Sequence, residues 1–376
     1  MSQIVKFGNS SIKYLSEFLK EKSPKHIFLV TGKDSYLKSG AQKELEPFLK
    51  NYQYTRFYDF EENPKIEDVE RGVQIFNKNK CDLIIAVGGG SVIDMGKLIN
   101  FFHTKISPFF QHFSDELKSD EVVSLVAIPT TAGTGSEATH FAVVYYNSVK
   151  YSIASQLLVP NFVIINPCFT YSINAYLTAV TGLDTLSQAI ESHWSTGSTK
   201  ESKTYSKKAI ILAWNNLKDA VKLNNLKAKD RMSEAAYFAG KSINITKTTG
   251  PHAVSYAFTS YFNIPHGHAV ALTLPFFLKF NYDVQEYDCN DKRGVEYVKK
   301  SINQILLLLG DKNIEEVTKN IEDLFYNIGL NISLIEIGIT KNDIDEIILK
   351  SINTERLSNN PRRIDIISLR KYLLKL

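Results

Sequence analysis

Apolar residues recur along this chain in two rhythms. In the first 170 or so residues they gather into short unbroken runs. Residues 26–31 (HIFLVT) stop at Gly32, residues 52–60 are aromatic and strand-like, and residues 83–87 (LIIAV) end in three glycines; residues 122–128 and Phe162–Ile165 are similar. Between the runs the spacing changes to three and four. Residues 35–50 read as helical, and after Pro64 the positions Ile66, Val69, Val73 and Phe76 mark one helix face. Strands apolar on both faces, separated by helices, predict a parallel sheet covered on both sides.

Beyond about residue 175 strand-like runs become rare. Ile314, Val317, Ile321, Leu324 and Phe325 keep a helical period, with Gly329 placed as a C-terminal stop. The expected architecture is α/β: an N-terminal parallel-sheet domain, residues 1–175, followed by an all-helical domain, residues 176–376, assigned below to dinucleotide and metal binding on their motifs. The boundary falls in the segment 167–174, and the two domains are expected to share a cleft. There is no internal repeat and no low-complexity tract.

Composition narrows the class of function. With 376 residues, 44% hydrophobic and 22% charged, the chain has globular usage. The net charge of +4 is small and the lysines are scattered, so the Lys-rich stretch 218–229 reads as solvated helix surface and no nucleic-acid partner is expected. No apolar run approaches the roughly 18–20 residues that span a bilayer. Cys81, Cys168 and Cys289 are odd in number and widely spaced, which predicts free thiols and, with no signal-like N-terminus, a cytoplasmic protein.

Two glycine loops follow predicted strands. In Leu83-Ile-Ile-Ala-Val-Gly88-Gly89-Gly90-Ser91-Val-Ile-Asp94, a buried strand runs into a glycine turn and a helix start, a combination suited to an anion. It is not the G-x-G-x-x-G fingerprint. Pro129-Thr130-Thr131-Ala132-Gly133-Thr134-Gly135-Ser136-Glu137 also follows a strand and brings hydroxyls to the carboxyl end of the sheet, where such folds bind ligands. In the second half, Gly182-Leu-Asp184-Thr-Leu-Ser-Gln188-Ala-Ile-Glu191-Ser-His193 is expected to be helical, with Asp184 and Gln188 one turn apart. Thr249-Gly-Pro-His252-Ala-Val-Ser-Tyr256 and Ile264-Pro-His266-Gly-His268 open further helices. Imidazoles with a carboxylate suit Zn²⁺ or Fe²⁺.

These motifs, in this order, resemble the iron-dependent (group III) alcohol dehydrogenases over residues 28–274. The resemblance implies a metal-dependent oxidoreductase that interconverts a small aldehyde and its primary alcohol with NADPH or NADH. It implies that Gly88, Gly89, Gly90, Ser91 and Asp94 hold the pyrophosphate region, that Thr130, Thr131 and Thr134 line the cofactor, and that Lys150 reaches its ribose or phosphate. Asp184, His252 and His266 match three metal ligands. Where the iron enzymes have a fourth, histidine ligand, this chain has Gln188; where many have a further histidine, it has Tyr256. A proton relay would then use Tyr256, His268 or water.

Asn244-Ile-Thr-Lys247-Thr-Thr-Gly-Pro-His252 and the late Asn359-Asn-Pro-Arg362 are similar to members that reduce phosphonoacetaldehyde to 2-hydroxyethylphosphonate. Lys247 is then the first candidate for the phosphonate, with Arg362 a second. In NAD-preferring members an acidic residue follows the first long strand; the matching position here is Gly32, flanked by Lys33, Asp34 and Ser35, which favours NADPH. Another short or phosphorylated aldehyde, a non-redox cyclase of dehydroquinate synthase type, and a metal-free binding protein remain open alternatives. The expected partners are a small aldehyde, phosphonate-bearing or not, and a second copy of the chain in a homodimer, with no membrane.

Overall fold

The computed structural model describes residues 3–105, 108–113, 122–147, 149–351 and 354–376. They form two compact units, Met1–Ile173 and Asn174–Leu376.

The first unit is built on strands β1 (Ile4–Phe7), β2 (Ile27–Thr31), β3 (Tyr54–Phe57), β4 (Leu83–Gly88), β5 (Ser124–Pro129) and β8 (Phe162–Ile165). They form one parallel sheet in the order β1-β8-β5-β4-β2-β3. β2 and β4 are neighbours, yet the chain leaves β2 toward one edge and β4 toward the other. The helices follow that split. α1 (Tyr14–Lys22) and α2 (Ala41–Leu49) cover the face carrying Ile27, Leu29, Ile85 and Val87. α3 (Ile66–Lys78) and α4 (Gly90–Phe102) cover the face carrying Phe28, Val30, Ile84 and Ala86. The carboxyl ends of β2 and β4 therefore frame a topological switch point, the crevice where open parallel sheets take ligands.

Four features depart from the sequence pattern. The helix expected over 35–50 is two helices, Ser35–Lys38 and α2, because Gly40 at φ 79° turns the chain left-handed between them. The aromatic strand shortens to β3. An antiparallel hairpin, β6 (Phe141–Tyr146) and β7 (Val149–Ala154), was not expected; it lays Ala142, Val144 and Ile153 on the α4 face. β1, partly exposed at the sheet edge, offers too little apolar contrast to be seen in sequence.

Among the described residues the second unit is helical apart from an isolated bridge between Cys289 and Arg362. Its axis is α5 (Ala175–Trp194), capped by Asn174, whose side chain accepts from the Leu177 N–H. From Thr178 to Trp194 this helix is buried at nearly every position, on all sides, as a helix at the centre of a bundle must be. α6 (Lys200–Lys222), α7 (Leu226–Thr246), α8 (Gly250–Phe262) and α9 (His266–Ala271) pack around it. Gly267 lets α9 approach: a Cβ there would lie 2.0 Å from the Val180 carbonyl oxygen of α5. Ile314–Asn327 forms the expected helix, with Gly329 left-handed beyond its end. Lys218, Lys222 and Lys227 are exposed as expected, but Lys229 is buried. The three cysteines are free, and no helix among the described residues is long and apolar enough to cross a membrane.

Candidate active site

At the switch point the two glycine loops touch. The Thr130 N–H donates to the Gly88 carbonyl at 2.9 Å. A Cβ on Gly90 would come within 2.7 Å of the Thr134 side chain, so only glycine lets α4 begin against the second loop. The first turn of α4 thus presents its N–H groups beside Thr131 and Thr134, an arrangement suited to a phosphate.

Beneath the loops lies a buried charge network. Lys97, 0% exposed, donates to the carbonyls of Ser136 (2.5 Å), Thr139 (2.9 Å) and Phe141 (3.0 Å) and to Thr139 Oγ1 (3.0 Å). Burial pulls its ammonium down to about 8 against the opposing charges of Asp94 and Glu137, and burial likewise pushes Glu137 up to about 7. Asp94 corrects the expectation that it faces the pyrophosphate. Its carboxylate accepts from Ser136 Oγ at 2.5 Å and from the Val143 N–H at 3.0 Å, so it ties α4 to the second loop and the hairpin. Lys150, on β7, is close enough to act electrostatically on Asp94.

At the end of β2, Arg56 of β3 donates to Thr31 Oγ1 (2.8 Å) and to the carbonyls of Gly32 (3.3 Å) and Lys33 (3.4 Å). Its guanidinium lies 4.8 and 4.5 Å from the ring centres of Tyr36 and Tyr58. The Asp34 carboxylate pairs with Lys38 at 3.2 Å. Arg56, unmarked by any motif, belongs to this corner.

In the second unit Asp184, His252 and His266 come together, their ligand atoms all within 4.8 Å of one another. The imidazoles meet edge to face with centres 5.2 Å apart. Gln188 lies one turn beyond Asp184. Gln188 Oε1 is buried with no hydrogen-bond partner among the described residues, a costly state that a cation would relieve, and buried Asp184 Oδ1 has the His252 ring as its near neighbour. His252 sharpens the point. Its Nδ1 lies 2.5 Å from Glu191 Oε1, and its Nε2 lies 3.3 Å from Asp184 Oδ1. With the Nδ1 proton given to Glu191, a neutral ring turns a lone pair toward a carboxylate oxygen; a proton or a metal must stand between them. The donor set therefore fits a divalent ion.

Glu191, part of the 182–193 segment but given no role by the sequence, carries this arrangement. It is 0% exposed and also accepts from the Thr249 N–H (2.7 Å) and Thr249 Oγ1 (3.0 Å); Trp194 Nε1 donates to the same Thr249 hydroxyl at 2.8 Å. Its trace in sequence is its place seven residues, two helical turns, after Asp184 on the same helix.

Two expectations are corrected here. His268 sits two positions after His266 on α9, about 200° around the helix axis. Its Nε2 lies 2.7 Å from the Asn331 carbonyl oxygen, and burial lowers its pKa, so it is a neutral structural histidine. Arg362 is held by Asp288 (2.8 Å) and the Phe280 carbonyl (2.7 Å) against the Phe280 ring. His193 is likewise structural, bridging Ser206 and Gln304, with burial pulling it down to about 4. Tyr256, by contrast, lies one turn beyond His252 on the same helix face.

Lys247 ends α7 with φ 58° and ψ −179°. That backbone region is almost reserved for glycine and costs a side-chain-bearing residue about 1–3 kcal/mol. The surrounding contacts enforce it. Its N–H donates to the Ile243 carbonyl, and its own carbonyl accepts from Thr246 Oγ1, both at 2.8 Å.

The family model for iron-containing alcohol dehydrogenase matches residues 2–167, and the model for the C-terminal region of the Fe-containing alcohol dehydrogenase family matches residues 178–372. The chain belongs to the iron-containing alcohol dehydrogenase family, a family of oxidoreductases. It is 29% identical to 1,3-propanediol dehydrogenase of Klebsiella pneumoniae over 364 residues, 95% of this chain and 92% of that one. It is 29% identical to phosphonoacetaldehyde reductase of Streptomyces viridochromogenes over 310 residues, 78% of this chain and 76% of that one. Among solved structures, sulfoacetaldehyde reductase from Bifidobacterium kashiwanohense in complex with NAD+ superposes with a TM-score of 0.89 at 29% identity, covering 100% of this chain and 96% of that one.

Glu191→Gln keeps the shape but removes the charge that orients His252. Affinity for Fe²⁺ or Zn²⁺, titrated against a competing chelator, is expected to fall by about 10- to 100-fold. The affinity also depends on pH. The pKa of His252 is raised, because the neighbouring carboxylates Glu191 and Asp184 outweigh burial, which would lower it. A proton therefore competes with the metal above the ordinary imidazole range. Metal affinity should keep rising as pH climbs past that range, whereas a plateau reached below pH 6 would contradict the arrangement.

Proposed function

We propose that this enzyme reduces a short aldehyde carrying an anionic tail, phosphonoacetaldehyde first, to the primary alcohol with NADPH. The observation that carries the metal half of this reading is the convergence of the ligand atoms of Asp184, His252 and His266 within 4.8 Å of one another. When bound, a divalent metal polarises the aldehyde oxygen and the nicotinamide provides hydride. Asp184, Gln188, His252 and His266 are the residues that would hold the metal, the Gln188 amide oxygen being a weaker donor than the histidine of its relatives. Glu191 keeps the His252 ring oriented, with Nδ1 turned to Glu191 and Nε2 toward Asp184. Tyr256, one turn from His252, is the side chain suited to hold the proton that the alkoxide requires.

In the first unit Gly88, Gly89, Gly90 and Ser91 would receive the pyrophosphate on the α4 N-terminus, with Thr130, Thr131, Thr134 and Lys150 around the rest of the dinucleotide. Asp94 and Lys97 keep the second loop in place. NADPH is favoured because Gly32 offers no carboxylate, Asp34 is drawn toward Lys38, and Arg56 and Lys33 bring positive charge to the end of β2. The anionic tail is supported by two relatives whose names specify a phosphonate or a sulfonate on the aldehyde. Lys247 is the first residue proposed to answer it: an exposed cation, held in a strained backbone five residues before His252.

Two outcomes test these assignments. Lys247→Ala should raise KM for phosphonoacetaldehyde by far more than for propionaldehyde, since only the former loses a charge-assisted contact. Lys247→Gly should show the same kinetic loss yet be more stable than Lys247→Ala by about 1 kcal/mol in denaturant unfolding, because glycine relieves the backbone strain. For the cofactor, wild type should have the higher kcat/KM with NADPH than with NADH. Gly32→Asp should reverse that order, after the Ser35 hydroxyl, 2.1 Å from the new Cβ, turns aside. A wild type that prefers NADH overturns the NADPH assignment.

A further inference from the structure

The late segment Asn359-Asn-Pro-Arg362 is fixed with unusual density. Asn360 is fully buried, exchanges two amide hydrogen bonds with Asn281 (3.2 and 2.9 Å) and donates to the Arg362 carbonyl at 2.7 Å. The Asn290 N–H donates to the Pro361 carbonyl and the Arg363 N–H to that of Asp288, both at 2.8 Å. Asn359 is held from two sides: its carbonyl accepts from the Thr196 N–H at 3.0 Å, and its Nδ2 donates to the Thr248 carbonyl at 3.3 Å. Arg362 is engaged with Asp288 and Phe280, as described. This segment immediately follows a short helix, Thr354–Leu357, which packs against α8.

That helix carries Arg356. Its Nη1 donates to Thr248 Oγ1, and its guanidinium carbon lies 5.4 Å from the ring centre of Tyr256. Two short routes lead from there to His252. One runs from Thr248 to its neighbour Thr249, which donates to Glu191, the partner of His252. The other runs along one face of α8 from Tyr256 back one turn, a step of about 6 Å between side-chain roots. A two-carbon aldehyde with a tetrahedral oxyanion places four bonds, about 5 Å, between its carbonyl oxygen and its outer oxygens. Arg356 thus lies against two residues that are each one short step from His252 or its partner Glu191, and its planar fork suits a phosphonate or sulfonate better than a point charge does.

We infer that Arg356 receives the anionic tail of the substrate, and that the buried Asn359–Arg362 clamp exists to hold Arg356 beside Tyr256 and Thr248. The assignment rests on the anionic-aldehyde reading above and sharpens it: the oxyanion is gripped by Arg356, with Lys247 adding a second charge, and Arg362 is a positioning residue. It makes Arg356 the determinant of substrate class.

The test compares phosphonoacetaldehyde, sulfoacetaldehyde and propionaldehyde with the metal-loaded full chain and NADPH. Wild type should show a much lower KM for the two anionic aldehydes. Arg356→Gln should raise those two KM values about 10- to 100-fold, the size of one charge-assisted contact, and far more than it raises that for propionaldehyde. Arg356→Lys, which keeps charge but loses the fork, should recover only part of the loss. Binding of 2-hydroxyethylphosphonate by calorimetry should weaken in the same order. A wild type indifferent to the anionic group overturns the substrate reading and this assignment with it. A wild-type preference that survives in Arg356→Gln, or an equal loss on all three aldehydes, overturns the role of Arg356 alone.

Discussion

A carboxylate with no exposure to water has to be answered by donors, and Glu191 is such a carboxylate. It lies on α5, a helix buried at nearly every position from Thr178 to Trp194, so its polar side chains need partners within the protein. Glu191 draws in the Thr249 backbone and hydroxyl and one nitrogen of His252. That orients the start of α8 and the edge of the His252 ring that faces Asp184. The unpartnered Gln188 oxygen follows from the same enclosure. Its desolvation cost is the counterpart of metal affinity, for a site whose oxygens were already satisfied would have little to gain from an ion.

The first unit solves a parallel problem with the opposite charge. Lys97 is as thoroughly buried as Glu191, and its ammonium gathers two carbonyls and a hydroxyl from the loop that follows β5 and the Phe141 carbonyl at the start of β6. A loop of glycines, threonines and serine has little apolar surface with which to hold its own shape, and ordering it costs about 1–2 kcal/mol per residue in backbone entropy. A buried cation and the Asp94 carboxylate supply that order from below, which leaves the glycine edge and the threonine side chains facing the switch point. Asp94, which family likeness alone would set against the pyrophosphate, works from inside the protein.

Much of this was legible beforehand because it depends on local pattern. The apolar runs of β2, β4, β5 and β8 stand out because a strand buried on both faces has no polar positions to alternate with. The helix beginning at Ile66 is visible because Ile66, Val69, Val73 and Phe76 must share one face. The break at Gly40, the edge strand β1 and the β6–β7 hairpin were less visible, since short or half-exposed elements take their stability from neighbours distant in sequence. Asp184, His252 and His266 could be named from motif order, and Asp184 with Gln188 from one helical turn. Glu191 could not, because nothing in the chain says that a glutamate two turns along a helix will meet a histidine 61 positions later.

The same division separates the arginines and histidines. His266 and His268 are nearly equivalent as letters, and only the helix rotation between them, with the Asn331 carbonyl waiting on the far side, makes one a candidate ligand and the other a packed neutral ring. Arg362 sits in a conspicuous motif while Arg356 sits in none, yet the fold turns Arg362 into its own Asp288 and Phe280 and sets Arg356 beside Tyr256. Sequence by itself determined the class of fold, the two glycine loops and the chemical kinds of donor, because periodicity, turn residues and ligand types are properties of short segments. The tertiary structure alone decided which donors meet, which are consumed by the scaffold and which charge stands beside the metal residues, because those are pairings between segments that only packing brings into contact.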